Sequence, residues 1–119
     1  MVKRSEKVAE AIHEIVSATL VRGVKDPRIG FVTVTGVKVT DDLHLATIYY
    51  TVVGSEQEKS DTSRALEHAR GFFRSLIGRE LRMKYVPDVT FRYDSSVEYG
   101  NRIESILREI ATEERSDGE

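Results

Sequence analysis

The sequence predicts an α+β domain of two layers, a three-stranded sheet with helices packed on one face. Three observations carry that expectation. Apolar residues recur three and four apart in two long segments, 8–20 and 66–81, the period of a helix with one buried face. Between them lie segments rich in Val and Thr, residue types that favour extended, paired chain. The chain has 119 residues, 39% of them hydrophobic, which suits one core and leaves no room for a second. The domain is expected to span 1–112, with 113–119 a polar, disordered tail.

The first helix carries Val8, Ala11, Ile12, Ile15, Val16, Thr19 and Leu20 on one face, with Ser5 as its expected cap and Gly23 at its end. Lys25-Asp26-Pro27-Arg28-Ile29-Gly30 follows as an ordered connector, since Pro fixes φ and Asp can bond the backbone ahead of it. Phe31 to Thr40 reads as a strand whose apolar parity slips from Val32 and Val34 to Val37 and Val39, so a bulge is expected at Gly36. Asp41-Asp42-Leu43 supplies a turn, and Ala46, Ile48, Tyr50 and Val52 share one face of the next strand, giving an antiparallel hairpin. Gly54 to Ser60 reads as loop. A second helix, capped by Ser60 or Asp61, carries Leu66, Ala69, Phe73, Leu76, Ile77 and Leu81, and Gly71 inside it marks a kink or a close backbone approach. Val86-Pro87-Asp88 ends that helix, and Val89, Phe91 and Tyr93 alternate as a third strand. Asn101 with Glu104 resembles a capping box ahead of Ile103, Ile106, Leu107 and Ile110 in a last helix.

Several function classes lose support at once. The chain has no Cys, so a disulfide framework, a thiolate metal site and a thiol nucleophile are excluded. No run approaches the roughly 18 apolar residues of a membrane span, and a cytoplasmic protein without a membrane partner is expected. The three histidines, His13, His44 and His68, have no metal-site spacing. Asp41, Asp42 and His44 could be imagined around a metal in a small hydrolase, but hairpin-turn chemistry accounts for them. Asp94 reads as a strand-end cap rather than a catalytic base. No nucleophile or phosphate-cradling motif is present, so neither enzyme activity, cofactor nor metal is expected.

Charge is more informative in its distribution than in its total. The formal balance of 18 Lys+Arg against 20 Asp+Glu is −2. From Arg64 to Arg92, however, seven cations (Arg64, Arg70, Arg74, Arg79, Arg82, Lys84, Arg92) face three carboxylates, while from Tyr93 to Glu119 eight carboxylates face three cations. Six of the seven are Arg, whose planar fork suits phosphate. Arg70 and Arg74 are spaced to share a helix face, as are Arg79 and Arg82, and Lys3, Arg4 and Lys7 form a second cluster. Of these, Lys3, Arg4, Lys7, Arg64, Arg70, Arg74, Arg79, Arg82 and Lys84, with Arg28 on the connector, are the candidate RNA contacts. Of the aromatics, Phe73 reads as core and Phe72 stays open. Tyr49 and Tyr50 lie on opposite strand faces, so at most one could stack on a base.

Lys25-Asp26-Pro27-Arg28-Ile29-Gly30 before Val32-Thr33-Val34-Thr35, Asp42-Leu43 with Ala46-Thr47-Ile48-Tyr49, Leu66 with Ala69-Arg70-Gly71-Phe72-Phe73-Arg74, and Val86-Pro87-Asp88-Val89-Thr90-Phe91 with Asp94 together closely resemble the ribosome-binding factor A family of bacterial small-subunit maturation factors. The resemblance runs from about Arg4 to Ile110. It implies a type II KH-like domain, helix-strand-strand-kinked helix-strand plus a C-terminal helix. It also implies binding to the immature 30S subunit, assistance with processing the 5′ end of 16S rRNA, a link to growth in the cold, and release by a ribosome-associated GTPase. In this family an Ala-x-Gly kink, here Ala69-Arg70-Gly71, stands where other KH domains have the Gly-x-x-Gly loop that clamps single strands. Docking on folded rRNA through the arginine face, by a protein that is a monomer when free, is the expectation that follows. The better-known members tend to be basic, and this acidic C-terminal segment departs from them. The alternative is a protein-interaction or dimerisation module that uses an exposed sheet edge, with no direct RNA contact.

Overall fold

The computed structural model describes residues 2–23, 29, 31–96 and 103–111. Its elements are α1 (Arg4–Arg22), β1 (Val32–Val39), β2 (Leu45–Val52), α2 (Glu56–His68), α3 (Arg70–Leu81) and β3 (Asp88–Tyr93). The sheet order is β1-β2-β3, with β1 antiparallel and β3 parallel to β2. A parallel return needs a long crossover, and α2 with α3 supplies it. No helix among the described residues is long and apolar enough to cross a membrane.

Helical spacing in α1 buries Ile12 and Val16 completely and brings Val8, Ile15 and Leu20 against the core. Gly23 ends α1 at φ 92°, a conformation that suits a residue without Cβ. The expected cap is different. Lys3 occupies the N-cap position, and Ser5 lies inside the helix, buried, its hydroxyl donating to Asp41 Oδ1 at 3.3 Å. The hairpin turn thus takes up the side chain that capping would have used.

The parity slip in β1 is a bulge, as expected. Val34 pairs with Tyr50 and Gly36 with Tyr49, leaving Thr35 as the extra residue. Val32, Val34, Val37 and Val39 can therefore all face inward with Ala46, Ile48, Tyr50 and Val52. Val89 is buried, while Phe91 and Tyr93 pack edge-on, Phe91 on Phe73 at 5.4 Å and Tyr93 on Tyr50 at 5.7 Å.

The second helix begins earlier than its apolar pattern suggests. Ser55 Oγ accepts from the Glu58 N–H at 3.1 Å, and Glu58 Oε1 accepts from the Ser55 N–H at 3.3 Å, a reciprocal cap that turns most of the expected 54–60 loop into helix. The expected kink separates two helices at Ala69, whose backbone sits at φ −87°, ψ 0°. Hydrogen bonds pass through the bend, because the Ala69 N–H donates to Ala65 O and its carbonyl accepts from Phe73 N, both at 3.0 Å. Residues 103–111 are helical, but Ile103, Ile106, Leu107 and Ile110 are all exposed, so this helix adds nothing to the core. Its expected cap Asn101 and the 113–119 tail lie outside the described residues.

Candidate nucleic-acid interface

The expected arginine face divides into two unlike parts. At the kink, Arg70 donates through Nε to the Val89 carbonyl at 2.6 Å and through one terminal nitrogen to Glu67 Oε1 at 2.6 Å. The N–H groups of Asp88 and Asp94 donate toward β2, to His44 and Tyr50, so the strand alternation turns the Val89 carbonyl outward at the sheet edge. Arg70 covers that edge acceptor. One turn on, Arg74 donates to the Val86 carbonyl at 3.2 Å and lies 3.6 Å from Asp88 Oδ1. Glu67, Arg70, Gly71, Arg74, Asp88 and Val89 line one shallow groove in which two guanidinium groups are matched by two carboxylates. These arginines hold α3 to β3 and leave little surplus charge.

The surplus lies at the other end of α3. Leu81 is its last residue and Arg82 is left-handed, φ 50° and ψ 42°, with the Met83 N–H reaching back to the Gly78 carbonyl at 3.2 Å. Arg82 therefore leaves the helical face it was expected to share with Arg79. Gly78 allows the return, since a Cβ there would stand 2.6 Å from a Val86 methyl. The chain turns back carrying Arg82, Lys84 and Tyr85 toward the start of α1. With Arg4, Asp42, Leu43, His44, Leu81 and Met83 they line an open depression of about 370 Å³.

Arg4, Arg82 and Lys84 have no ion pair among the described residues. The acid beside them is occupied: Asp42 Oδ1 accepts from the Thr40 hydroxyl at 2.6 Å and from the His44 N–H at 3.0 Å, and these bonds hold its carboxyl below the ordinary aspartate value. Tyr85 is 78% exposed, with the Lys84 ammonium 5.6 Å from its ring centroid. Leu43 at φ 62° and Arg82 are the two positive-φ residues other than Gly among those described, and both line this depression. Backbone held in a costly conformation tends to gather at functional sites.

The remaining candidates are placed apart from it. Lys3 is drawn to Asp41, with Nζ 3.8 Å from Oδ2, Lys7 is exposed one turn along α1, and Arg64 and Arg79 are exposed on α2 and α3. Arg28 lies outside the described residues. Phe72 is half exposed, edge-on to Phe73. Sequence reasoning missed Tyr85, for which the basic-aromatic pair Lys84-Tyr85 was the available signal, and weighed His44 only as a metal ligand or turn residue rather than beside these cations. Asp41, Asp42 and His44 form the expected turn, and no group of three or more potential ligands comes together for a metal among the described residues. Asp94 is the expected strand-end cap, accepting from the Ser96 hydroxyl and from the Ser96 N–H at 2.9 Å.

Comparison with known proteins agrees with this architecture. A crystal structure of ribosome-binding factor A from Thermus thermophilus superposes with a TM-score of 0.63 at 20% identity, covering 75% of this chain and 94% of that one. The solution structure of a Thermotoga maritima protein described as a ribosome binding factor A gives 0.66 at 30% identity over 75% and 85%. In sequence, the chain is 66% identical over its whole length to ribosome-binding factor A of Geotalea daltonii, covering 97% of that protein, and 60% identical to that of Geobacter sulfurreducens over 98% and 99%. A type II KH-like layer of helices on a three-stranded sheet is what these proteins share with it. With residues 4–107 also matching the family model for ribosome-binding factor A, the chain belongs to that family.

Proposed function

We propose that this protein binds the immature small ribosomal subunit through 16S rRNA and assists late maturation, including processing of the rRNA 5′ end, without bond chemistry of its own. The observation that carries this reading is the meeting of Arg4 with Arg82 and Lys84, from opposite ends of the chain's first five elements, on one side of the domain. Three cations without carboxylate partners among the described residues form a phosphate-binding surface whose geometry is set by a helix start and a left-handed turn. A structural neighbour at 23% identity, with a TM-score of 0.56, is a Thermus thermophilus ribosome binding factor A fitted into a map of a 30S complex, which is consistent with such a role. Its action is steric: seated on the subunit, it holds late rRNA folding in order until a ribosome-associated GTPase releases it.

Co-sedimentation with immature small subunits over a salt series tests the reading. Arg4→Gln, Arg82→Gln and Lys84→Gln combined should weaken association and flatten log K against log salt by about 2 to 3, at roughly 0.7 to 0.9 per phosphate contact. Association that is unchanged by the triple substitution, or equal at every salt concentration, overturns it. The dimerisation alternative is less well supported, because Arg70 already occupies an outward carbonyl on the β3 edge.

A further inference from the structure

Among the described residues the helices pack on one face of the sheet and none packs on the opposite face, where Lys38 and Arg92 are exposed and Gly36, Thr47, Tyr49 and Thr90 are partly exposed. Register places Gly36, Tyr49 and Arg92 in one row across the three strands, and Lys38, Thr47 and Thr90 in the row beside it. Tyr49 therefore stands on the central strand with a basic side chain on one flank and no side chain on the other. A Cβ added at Gly36 meets nothing within 4 Å, so the space on that flank is open. Arg92 and Lys38 are exposed and have no ion-pair partner among the described residues. The carboxylates at the two ends of β3 are both engaged, Asp88 by Arg74 at 3.6 Å and Asp94 by Ser96 and Thr35. The face thus combines an aromatic ring, uncommitted cations and hydroxyls.

We infer that this open face is a second nucleic-acid site, a platform on which a single-stranded RNA segment stacks one base against Tyr49 over Gly36 while its phosphates meet Arg92 and Lys38. Aromatic rings on an open sheet take bases of any sequence, because every base has a π-face, and neighbouring cations follow the backbone. A folded helix of RNA could not offer an unstacked base here, so the ligand is single-stranded. The inference takes its ligand class from the proposed function but not its site.

Fluorescence anisotropy of a labelled 12-nucleotide single-stranded RNA of mixed sequence, with the same RNA in duplex form as control, reads this directly. Tyr49→Val keeps β propensity and removes the ring, and should weaken single-strand binding by about 5- to 150-fold, the range of one lost base stack. Tyr49→Phe should bind within about twofold of the parent, since stacking on the ring persists. Arg92→Gln and Lys38→Gln should each flatten the salt dependence by about 0.7. These two side chains are exposed, so their variants report even where Tyr49→Val lowers stability. Unchanged affinity and salt slope in both charge variants overturns the platform, as does a folded Tyr49→Val that binds like the parent. Loss of subunit association in Tyr49→Val with oligonucleotide binding intact also overturns it, assigning the face to a protein. The triple substitution in the Arg4 depression separates the two sites: if it weakens subunit association and spares oligonucleotide binding, each stands on its own measurement.

Discussion

Thr35 and Asp94 are 59 residues apart, and the Thr35 hydroxyl donates to Asp94 Oδ2 at 2.6 Å. Thr35 is the extra residue of the β1 bulge and Asp94 follows the last residue of β3, so the bond ties the two outer strands together across β2. Bonds from the Ser96 side chain, from Thr35 and from the Ser96 N–H hold the Asp94 carboxyl below its ordinary value of 3.8. A depressed folded-state value adds stability that is present above the unfolded value and lost as pH falls through the folded one. Asp94→Asn should therefore melt below the parent at neutral pH, and the gap should close as pH drops below the ordinary aspartate range. Thermal melts from pH 7 to pH 2 check this. A gap that is constant across the series would remove the carboxylate from the account.

Arg70 and Arg64 both read from sequence as phosphate ligands, yet only Arg70 is built into the protein. Replacing Arg70 with Ala uncovers the Val89 carbonyl and frees Glu67, at an expected stability loss of about 1 to 2 kcal/mol. Exposed Arg64→Ala should fall within about 0.5 kcal/mol of the parent. Arg70→Lys should recover little, since a single ammonium cannot serve a carbonyl and a carboxylate in the geometry of a planar fork. Urea denaturation of the three variants separates these outcomes. Equal losses for Arg64→Ala and Arg70→Ala would make the clamp an incidental contact.

The contrast between these arginines shows where sequence reading stops. Spacing along a helix reports which residues share a face, and it correctly put Phe73 and Ile77 in the core. It cannot report what stands opposite that face, and the acceptor for Arg70 is a backbone carbonyl 19 residues on. The early start of α2 was hidden for a related reason. Its first two turns bury nothing before Thr62, so no apolar rhythm marks them, and the signal lay in the polar pair Ser55 and Glu58. The bulge in β1 was legible because it shifts the parity of four valines. The depression was not, since it joins Arg4 to Lys84 through a turn whose handedness no composition reveals.

Gly71 and Gly78 both sit inside α3, and alanine should act on them in opposite directions. At Gly71 an added Cβ meets nothing within 4 Å, and the lower chain entropy of Ala should stabilise by about 0.5 to 1 kcal/mol. At Gly78 the Cβ falls 2.6 Å from Val86 Cγ2, on a stiff β-branched side chain next to Pro87. Overpacking there should cost about 1 to 3 kcal/mol, more than the helix propensity gained. Melting temperatures of the two variants, measured side by side, should move up for Gly71→Ala and down for Gly78→Ala.

Arg82 offers the sharpest test of whether strain serves binding. A residue with a Cβ in the left-handed region carries a penalty of about 1 kcal/mol, which glycine avoids. Arg82→Gly keeps the turn and deletes the guanidinium, so it should leave the protein as stable as the parent or more so. Its association with the immature subunit should fall, and its salt slope should drop by about 0.7 to 0.9, one phosphate contact. A substitution elsewhere that weakened binding by loosening the fold would lower the melting temperature as well, so binding that falls while stability holds identifies a contact. If Arg82→Gly gains stability and binds as the parent does, the strained turn serves only to close α3, and the phosphate surface must be carried by Arg4 and Lys84 without it.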